Sequence, residues 1–350
     1  QAGAKILDIL LELKKIKLTM FSVPGGDSIT VGGAIAANVI GKDSSKNFAS
    51  FGDSVESLNV MKHDGTRIKL KFNSKKKNLF IGSFGFFGII LDAELKVRKI
   101  PSQNLLLLSS KVRKFNDVVK FLNKKFDYKY IVIDPFFRKD NLGIFFHSHF
   151  VKDDKNYFYK KVFEIYFLDK FLVKLSSFFI NSLSWKLFYK LFILFSKKEQ
   201  LIDLHNFHYS SKYKHLIPNL SRGGLVDYEI LVKKNLTNTL LKIKDLFIIN
   251  NIYPIFIIVK KIYKSKNKYF YSYNKNGYSV SIAVDKKNLN FYKKKEIENF
   301  IKKNNYEVNI CKTDHLLIKN FSKKFAKFSK NDKKNTFTSI FKKSILNQND

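Results

Sequence analysis

The sequence of 350 residues is 45% hydrophobic and carries a formal net charge of +36. Its length supplies one large domain or two ordinary ones, and its apolar content is that of a folded protein, which excludes a disordered chain. One cysteine, Cys311, excludes an internal disulfide framework and a multi-cysteine metal site.

The positive charge has two explanations. Lys, Asn, Ile and Phe are abundant while Pro (5) and Trp (1) are scarce, a pattern that biased base composition in the coding DNA would produce. The alternative is a basic surface that faces phosphate groups or an anionic membrane. A nucleic-acid partner is not expected, because there is no zinc-finger spacing, RNA-binding signature or discrete basic arm.

No secretory signal and no run of about 18 or more apolar residues is present, so no transmembrane helix is expected. The predicted location is the cytoplasm or the surface of a membrane. The sequence begins with Gln1, which is expected of a trimmed or partial chain.

Three elements are predicted in the first hundred residues. A helix is predicted from apolar residues at helical spacing, namely Ile6, Leu7, Leu10 and Leu11. Alternating residues on either side of Asp64-Gly65 predict a hairpin with a type I′ turn. Three glycines then precede a long predicted strand, and these are Gly82, Gly85 and Gly88. Pro101 marks a predicted domain boundary.

Strands and helices alternate irregularly after Pro101. Strands are predicted at 104–109, 129–134, 143–150, 224–232, 253–263 and 277–285, with a helix near 115–122 and further helices between and after the later strands. This mixture predicts an α+β architecture.

Residues 157–195 are dense in Phe and Leu, with Lys spaced between them. Charged residues interrupt the segment too often for a membrane span. It is either a helix pair that covers a sheet or a mobile flap that contacts a membrane, with its lysines on the headgroup side.

Residues 23–43 (VPGGDSITVGGAIAANVIGKD) have scarcely a bulky side chain. Such a segment lets backbone N–H groups approach a phosphate or a flat ring, although tight turns produce similar runs. Neither a GxGxxG motif that opens a helix nor a GxxxxGK[ST] motif is present, so the common dinucleotide and P-loop folds are not predicted.

The order of several motifs is more specific than any one of them. Residues 24–43 precede SFGDSVESLNVMKHDGTRIKL at 50–70, IGSFGFFGIILDAELKV at 81–97 and IPS at 100–102. This series resembles the second half of the PCMH-type FAD-binding domain of the vanillyl-alcohol-oxidase superfamily. Within it, the resemblance is to the FAD-dependent oxidases of decaprenylphosphoryl-ribose. GGLVDYEILV, GYSVSIAV, NICKTD and KNDKKNTFTSIFKKSIL continue in that family's order.

The resemblance implies that the chain has three parts. Residues 1–101 would be the second lobe of the FAD-binding domain, and residues 102–306 an α+β substrate (cap) domain with an antiparallel sheet. Residues 307–350 would return to the FAD domain. Family members carry a further N-terminal lobe that grips the FAD diphosphate. It is expected to be missing here or supplied by another chain, and without it flavin binding is expected to be weak or absent.

The resemblance also implies which residues line a cofactor site. The candidates are Gly25, Gly26, Thr30, Gly32, Gly33, Ala36, Gly41, Ser50, Gly52, Gly85, Gly88, Ile89 and Ile90. Thr30 could equally be a β-branched strand residue. Ile40 stands where the family has a histidine, which implies non-covalent FAD.

Catalytic roles are implied for Lys312, Asp227 and Glu229. The lysine would stabilise negative charge on the flavin, and the two carboxylates stand where the family has neutral amides. Carboxylates would repel a phosphate-bearing substrate but could bind sugar hydroxyls. Substrate contacts are implied for Lys261, Ser279, Ser281, Phe207 and Tyr228. Lys260, beside Lys261, leaves the assignment of the pocket lysine open.

No metal site is expected, because His205 and His208 have no third ligand in the sequence. The expected function is FAD-dependent oxidation of a secondary alcohol of a sugar, the 2-hydroxyl of a polyprenylphosphoryl pentose. The expected partners are a short-chain reductase and a peripheral membrane surface. A sugar-lactone or alditol oxidase is one alternative. A non-catalytic fragment or a basic lipid-binding protein is another.

Overall fold

A computed structural model of the chain describes residues 1–26, 28–71, 74–139, 141–151, 186–187, 189–190, 196, 199–208, 224–273 and 275–313. The chain divides into two compact units. Unit 1 comprises Gln1–Ile100, Ile262–Asn276 and the chain from Val308, and unit 2 comprises Pro101–Lys261 and Gly277–Glu307.

The helices of the described residues are α1 (Ile6–Lys15), α2 (Val31–Ala37), α3 (Lys77–Phe80), α4 (Phe115–Asn123), α5 (Leu204–His208), α6 (Leu236–Ile249) and α7 (Phe291–Lys303). Short 3-10 helices lie at Phe51–Ser54 and Lys286–Asn288. The strands are β1 (Leu18–Met20), β2 (Val55–Met61), β3 (Arg67–Leu70), β4 (Ile89–Leu95), β5 (Val97–Lys99), β6 (Asn104–Val112), β7 (Tyr128–Ile133), β8 (Gly143–Phe150), β9 (Glu199–Asp203), β10 (Leu225–Val232), β11 (Pro254–Ile262), β12 (Gly277–Asp285) and β13 (Glu307–Val308).

Unit 1 contains two small sheets. Strands β3, β2 and β4 form an antiparallel three-stranded sheet in that order, and β1 pairs with β5. The predicted first helix is confirmed as α1, which buries Ile6 and Leu10. Acidic Asp8 in its first turn and lysines in its last turn both match the helix dipole.

The predicted hairpin is confirmed as β2–β3, but its predicted type I′ turn is wrong. That turn requires positive φ at both central residues, and here Gly65 alone adopts it, at +79°. The Gly65 amide donates to Lys62 O at 3.0 Å, which is a type I turn closed by a glycine bulge. Asp64 stabilises it by accepting from the Thr66 amide at 2.9 Å. Hydrogen bonds from the Thr66 side chain and then from its amide lower the pKa of Asp64.

Unit 2 is built on an eight-stranded sheet, with the strand order β13-β10-β12-β11-β7-β8-β6-β9. The pairs β10–β12, β11–β7, β7–β8, β8–β6 and β6–β9 are antiparallel. Helix α4 covers one face, where Phe121 stacks on Phe145 of β8 at 5.0 Å between ring centroids. The α+β class with antiparallel sheets, predicted from the sequence, is therefore confirmed.

Residues 262–276, which the sequence analysis assigned to the second domain, belong to unit 1. Polar side chains of that segment meet one carboxylate near the start of β2. Asp53 accepts hydrogen bonds from Tyr269 at 2.7 Å and from Ser265. The same segment contacts the C-terminal end of α2, because Nδ2 of its C-cap residue Asn38 donates a hydrogen bond to Tyr271 O at 3.2 Å.

The Phe-rich segment at 157–195 lies almost entirely outside the described residues. Tyr189, one of its few described residues, is buried and donates from its hydroxyl to Ile255 O at 2.8 Å. At this position the segment packs on the sheet of unit 2. Among the helices that the structure describes, none is long and apolar enough to cross a membrane.

Candidate functional site

The small-residue segment forms helix α2 and its two caps. Thr30 is the N-cap, with Oγ1 accepting from the Gly33 amide at 3.2 Å. Asn38 ends the helix in the left-handed conformation at φ 47°, and its Oδ1 accepts from the Gly52 amide at 3.0 Å. Thr30 is therefore a capping residue, a role different from the strand residue or cofactor contact considered from the sequence.

Four glycines of the predicted cofactor set have a structural explanation. At each, a Cβ would come within 3 Å of another atom of unit 1, closer than real Cβ contacts allow. The contacts are Gly32 with Ala2 Cβ at 2.9 Å, Gly41 with Asp43 Oδ1 at 2.1 Å, Gly52 with Ile81 Cγ2 at 2.5 Å, and Gly88 with Met61 O at 2.3 Å. Packing alone excludes a side chain there.

Three other glycines leave open space. A Cβ on Gly25 or Gly85 would meet no atom within 4 Å, and one on Gly33 would meet only Thr30 Oγ1 at 3.2 Å. Gly85 has a φ of +80°, a left-handed conformation that favours glycine, so its backbone already explains this residue. A Cβ on Gly26 would meet only the flexible Ile29 side chain, at 3.0 Å. Gly25 and Gly33 are exposed, so a ligand could approach their backbone closely.

Two other segments, one with predicted cofactor contacts and one with the predicted catalytic Lys312, meet the C-terminal end of α2. The Phe84 amide, within the loop 82–88, donates to Ala36 O at 3.0 Å. From the turn at 309–313, the Cys311 thiol contacts Ala37 O at 3.5 Å. Lys312 follows Cys311 and is exposed. The structure thus brings the turn that carries Lys312 to the helix that carries Gly33 and Ala36.

Ser50 adds a polar group to this region. Its side chain is fully buried at the N-cap of the 3-10 helix Phe51–Ser54, where it faces the Asp53 backbone in a capping box. The remaining predicted contacts, Ile89 and Ile90, begin strand β4, which packs against α2. The open glycines and the exposed lysine fit a flat, polar cofactor such as FAD.

In unit 2, the predicted catalytic acids lie on one face of the sheet. Asp227 and Glu229 alternate along β10, so both side chains project to the same side. Ser281 Oγ donates to Asp227 Oδ1 at 2.8 Å, and Ser279 Oγ donates to Glu229 Oε1. The four residues form two diagonal pairs across β10 and β12, and Glu229 is completely buried.

The structure places Lys260, rather than Lys261, beside these acids. Lys260 Nζ lies 3.4 Å from Glu229 Oε1, and its side chain is 14% exposed. Lys261 projects to the opposite face and donates to Asn123 Oδ1 at 2.6 Å. Sequence reasoning could not separate the two neighbours, because a shift of one residue in a strand exchanges its faces.

Tyr228 also lies away from the acids. It alternates with Asp227 and Glu229 along β10 and is completely buried on the face that helix α4 covers. Its position identifies it as a core residue.

Phe207 lies on the same face of the sheet as the acids. Its ring is 4.9 Å from that of Tyr128, which precedes Tyr130 by two residues along β7. The register of β11 with β7 puts Tyr130 on the face of Lys260. Tyr130 in turn stacks on Phe146 at 5.2 Å. One face therefore carries an acidic and hydroxyl-rich part and an aromatic part.

The predicted site residues thus form two groups. The cofactor candidates and Lys312 lie in unit 1, and the substrate candidates lie in unit 2. Tyr130 and Phe146 were missed by sequence reasoning, which left Lys260 open as an alternative to Lys261, and the register of β11 decides between the two lysines. Of the described residues, no group of three or more His, Cys, Asp or Glu could hold a metal ion.

Comparison with known proteins found no matching protein family and no matching curated protein.

Proposed function

We propose that the chain is part of an FAD-dependent oxidoreductase that oxidises a secondary alcohol of a sugar. The observation that carries the proposal is the acid face of unit 2. There, two carboxylates are bonded to serine hydroxyls and one lysine lies beside Glu229. Carboxylates accept strong hydrogen bonds from hydroxyl groups, and the aromatic side chains of the same face suit the apolar faces of a sugar ring.

Unit 1 supports a flavin as the cofactor. A flavin would supply hydride acceptance from the alcohol carbon when bound. Gly25 and Gly33, which are exposed, would allow close approach to the backbone. Lys312, exposed on the turn whose Cys311 contacts Ala37 at the end of α2, would offset negative charge on the ring. A PCMH-type fold for residues 1–101 is part of the same proposal, with non-covalent FAD because Ile40 offers no attachment group.

Asp227 is the better placed of the two acids for a substrate. It is only half-buried, whereas Glu229 is completely buried and paired with Lys260. The Asp227 carboxylate would accept a hydrogen bond from a substrate hydroxyl and orient the carbon that loses hydride. Glu229 would hold Lys260 and Ser279 in place.

Two substrate classes follow from this site. A polyprenylphosphoryl pentose, oxidised at its 2-hydroxyl with a short-chain reductase as partner, is supported by the motif resemblance and the basic composition. A sugar lactone or alditol is favoured by the charges on this face. The face carries two carboxylates, and the neighbouring cation, Lys260, already bonds Glu229. A phosphate close to Asp227 would be repelled.

The test begins with FAD titration of the purified protein, followed by absorbance at about 450 nm, where oxidised flavins absorb. The loaded protein is then mixed without oxygen with a polyprenylphosphoryl pentose, a sugar lactone or an alditol. Loss of the absorbance with one class identifies the substrate. If the full-length gene product stays colourless after reconstitution with FAD, that result contradicts the proposed function.

A further inference from the structure

Helices α6 and α7 lie antiparallel on the surface of unit 2. Thr239 near the start of α6 bonds Tyr306 just after α7, at 2.9 Å between the hydroxyl oxygens. At the other end, Lys293 Nζ donates to Asn251 O at 2.8 Å. The last turn of α6 therefore lies at the first turn of α7.

This end of the helix pair exposes four large apolar side chains. They are Ile248 (56% exposed), Ile249 (75%), Phe291 (81%) and Tyr292 (61%). The exposed residues belong to regular helices. Asn290 caps α7 by accepting a hydrogen bond from the Lys293 amide at 2.9 Å. Phe247, the residue before Ile248, is fully buried. The four side chains thus project from well-anchored helix ends.

Lysines surround these apolar side chains. Residues 286–295 contain five lysines and no acidic residue. Three of the five, Lys293, Lys294 and Lys295, lie in or next to the first turn of α7, which has no acidic residue either. Lys293 bonds Asn251, but cations at a helix N-terminus oppose the helix dipole, so helix stability does not explain Lys294 and Lys295.

We infer that this helix-end patch, defined as Ile248, Ile249, Phe291, Tyr292 and the five lysines of 286–295, docks on an anionic lipid bilayer. Apolar and aromatic side chains would enter the boundary between headgroups and acyl chains, and the lysines would meet the anionic headgroups. The inference goes beyond the reaction proposed above, because it depends on none of the flavin or acid-face residues.

The charge favours a bilayer over the other occupants of such a surface. In a symmetric contact between two copies, the five lysines would face one another. Nucleic acid would use the lysines but would leave the two isoleucines in water. A bilayer satisfies both kinds of side chain.

The first experiment is co-sedimentation of the full chain with vesicles. Binding is expected with phosphatidylcholine vesicles that contain phosphatidylglycerol, and much weaker binding with phosphatidylcholine alone. The double variant Ile249→Ser/Phe291→Ser should bind at least roughly tenfold more weakly. The matched control Leu11→Ser/Leu241→Ser changes two exposed apolar residues outside the patch, and it should bind as the unmodified chain does.

A second pair of variants tests the charge. Lys287→Gln/Lys295→Gln removes two lysines of the patch and should weaken binding roughly tenfold or more. Lys302→Gln/Lys303→Gln removes two from the opposite end of α7 and should have a much smaller effect. Equal loss in both pairs would mean that net charge alone drives binding, and the inference would be wrong.

A direct readout comes from Phe291→Trp in a chain whose single tryptophan, Trp185, is changed to Phe. Its emission should shift to the blue with anionic vesicles and be quenched by brominated acyl chains. Emission that does not change while the chain is vesicle-bound would overturn the inference. So would sedimentation velocity that shows a dimer which Ile249→Ser/Phe291→Ser dissociates, because the patch would then bind a second copy.

Discussion

Lys260 Nζ lies 3.4 Å from Glu229 Oε1, and the Glu229 side chain is 1% exposed. Removing one partner of a buried ion pair leaves the other charge without compensation. Lys260→Met should therefore lower the free energy of unfolding by about 3 kcal/mol. Chemical denaturation followed by circular dichroism measures the change.

Lys261→Met is the matched control for that variant. Lys261 bonds Asn123 on the other face, at an exposed position, so the loss should be about 1 kcal/mol or less. The double variant Lys260→Met/Glu229→Gln should recover much of the lost stability, since no buried charge remains. A larger cost at Lys261 than at Lys260 would contradict the assigned faces.

The glycines of residues 23–43 should divide into two classes. Gly41→Ala would place a Cβ 2.1 Å from Asp43 Oδ1, next to the Val23 backbone, and it should prevent or strongly weaken folding of unit 1. Gly25→Ala meets no atom within 4 Å and should change stability by about 0.5 kcal/mol or less.

The Kd for FAD tests whether Gly25, a glycine of the second class, lies in the proposed cofactor site. If Gly25 lies against the cofactor, Gly25→Ala should raise the Kd for FAD by roughly tenfold or more, the equivalent of about one lost buried hydrogen bond. Gly3→Ala is the control, because its Cβ also meets no atom within 4 Å. Fluorescence titration with FAD measures both variants, and equal affinities would remove Gly25 from the proposed site.

The sequence predicted the elements whose pattern is local and left out the contacts that join distant segments. Strand β12 and helix α1 follow from alternation and helical spacing over fewer than fifteen residues. The bond between Asp53 and Tyr269 joins residues 216 positions apart, and no pattern near either residue indicates it. For this reason the sequence places 262–276 in the second domain, whereas the structure groups Ile262–Asn276 with unit 1.

The candidate site was predictable to the same extent. The acids on β10 and the serines on β12 could be placed on shared faces by alternation. Which lysine joins them depended on the register of β11, and which glycines are packed by protein depended on contacts such as Gly52 with Ile81. Both are tertiary facts, fixed by segments remote in sequence.

Tyr269 should make unit 1 sensitive to high pH. Burial, together with the charge of Asp53 and their hydrogen bond, raises the pKa of the Tyr269 hydroxyl. The folded state then keeps a proton that the unfolded state loses above pH 10, so this contribution is complete below that pH and falls as pH rises. Tyr269→Phe should flatten the fall in thermal stability between pH 9.5 and 11, by up to about 1.4 kcal/mol per pH unit. An unchanged slope would contradict the role of the hydroxyl.

His147 should make unit 2 sensitive to acid. Burial against its neighbours, with smaller effects of His149 and Lys124, lowers the pKa of His147 to about 4. Since the unfolded chain takes up the proton near pH 6.5, this contribution to stability is complete above that pH and is lost as pH falls towards 4. Urea denaturation at pH 7 and pH 4.5 should show a smaller difference for His147→Gln. The control His149→Gln, at an exposed position, should retain most of the difference.

Asp227 should affect the proposed reaction without affecting flavin binding, because it lies in unit 2 on the acid face. Asp227→Asn replaces a charged acceptor by a neutral one, and each hydrogen bond to a charged group contributes about 1.5–3 kcal/mol. The value of kcat/KM for sugar oxidation should therefore fall by roughly tenfold to a hundredfold, with an unchanged Kd for FAD. Lys261→Met, on the opposite face, should leave kcat/KM as it was.

A substrate that carries a phosphate near the oxidised carbon should be used better by Asp227→Asn than by the unmodified chain, because the repulsion is removed. If the variant loses activity on every substrate and gains on none, the carboxylate serves the sugar hydroxyl alone.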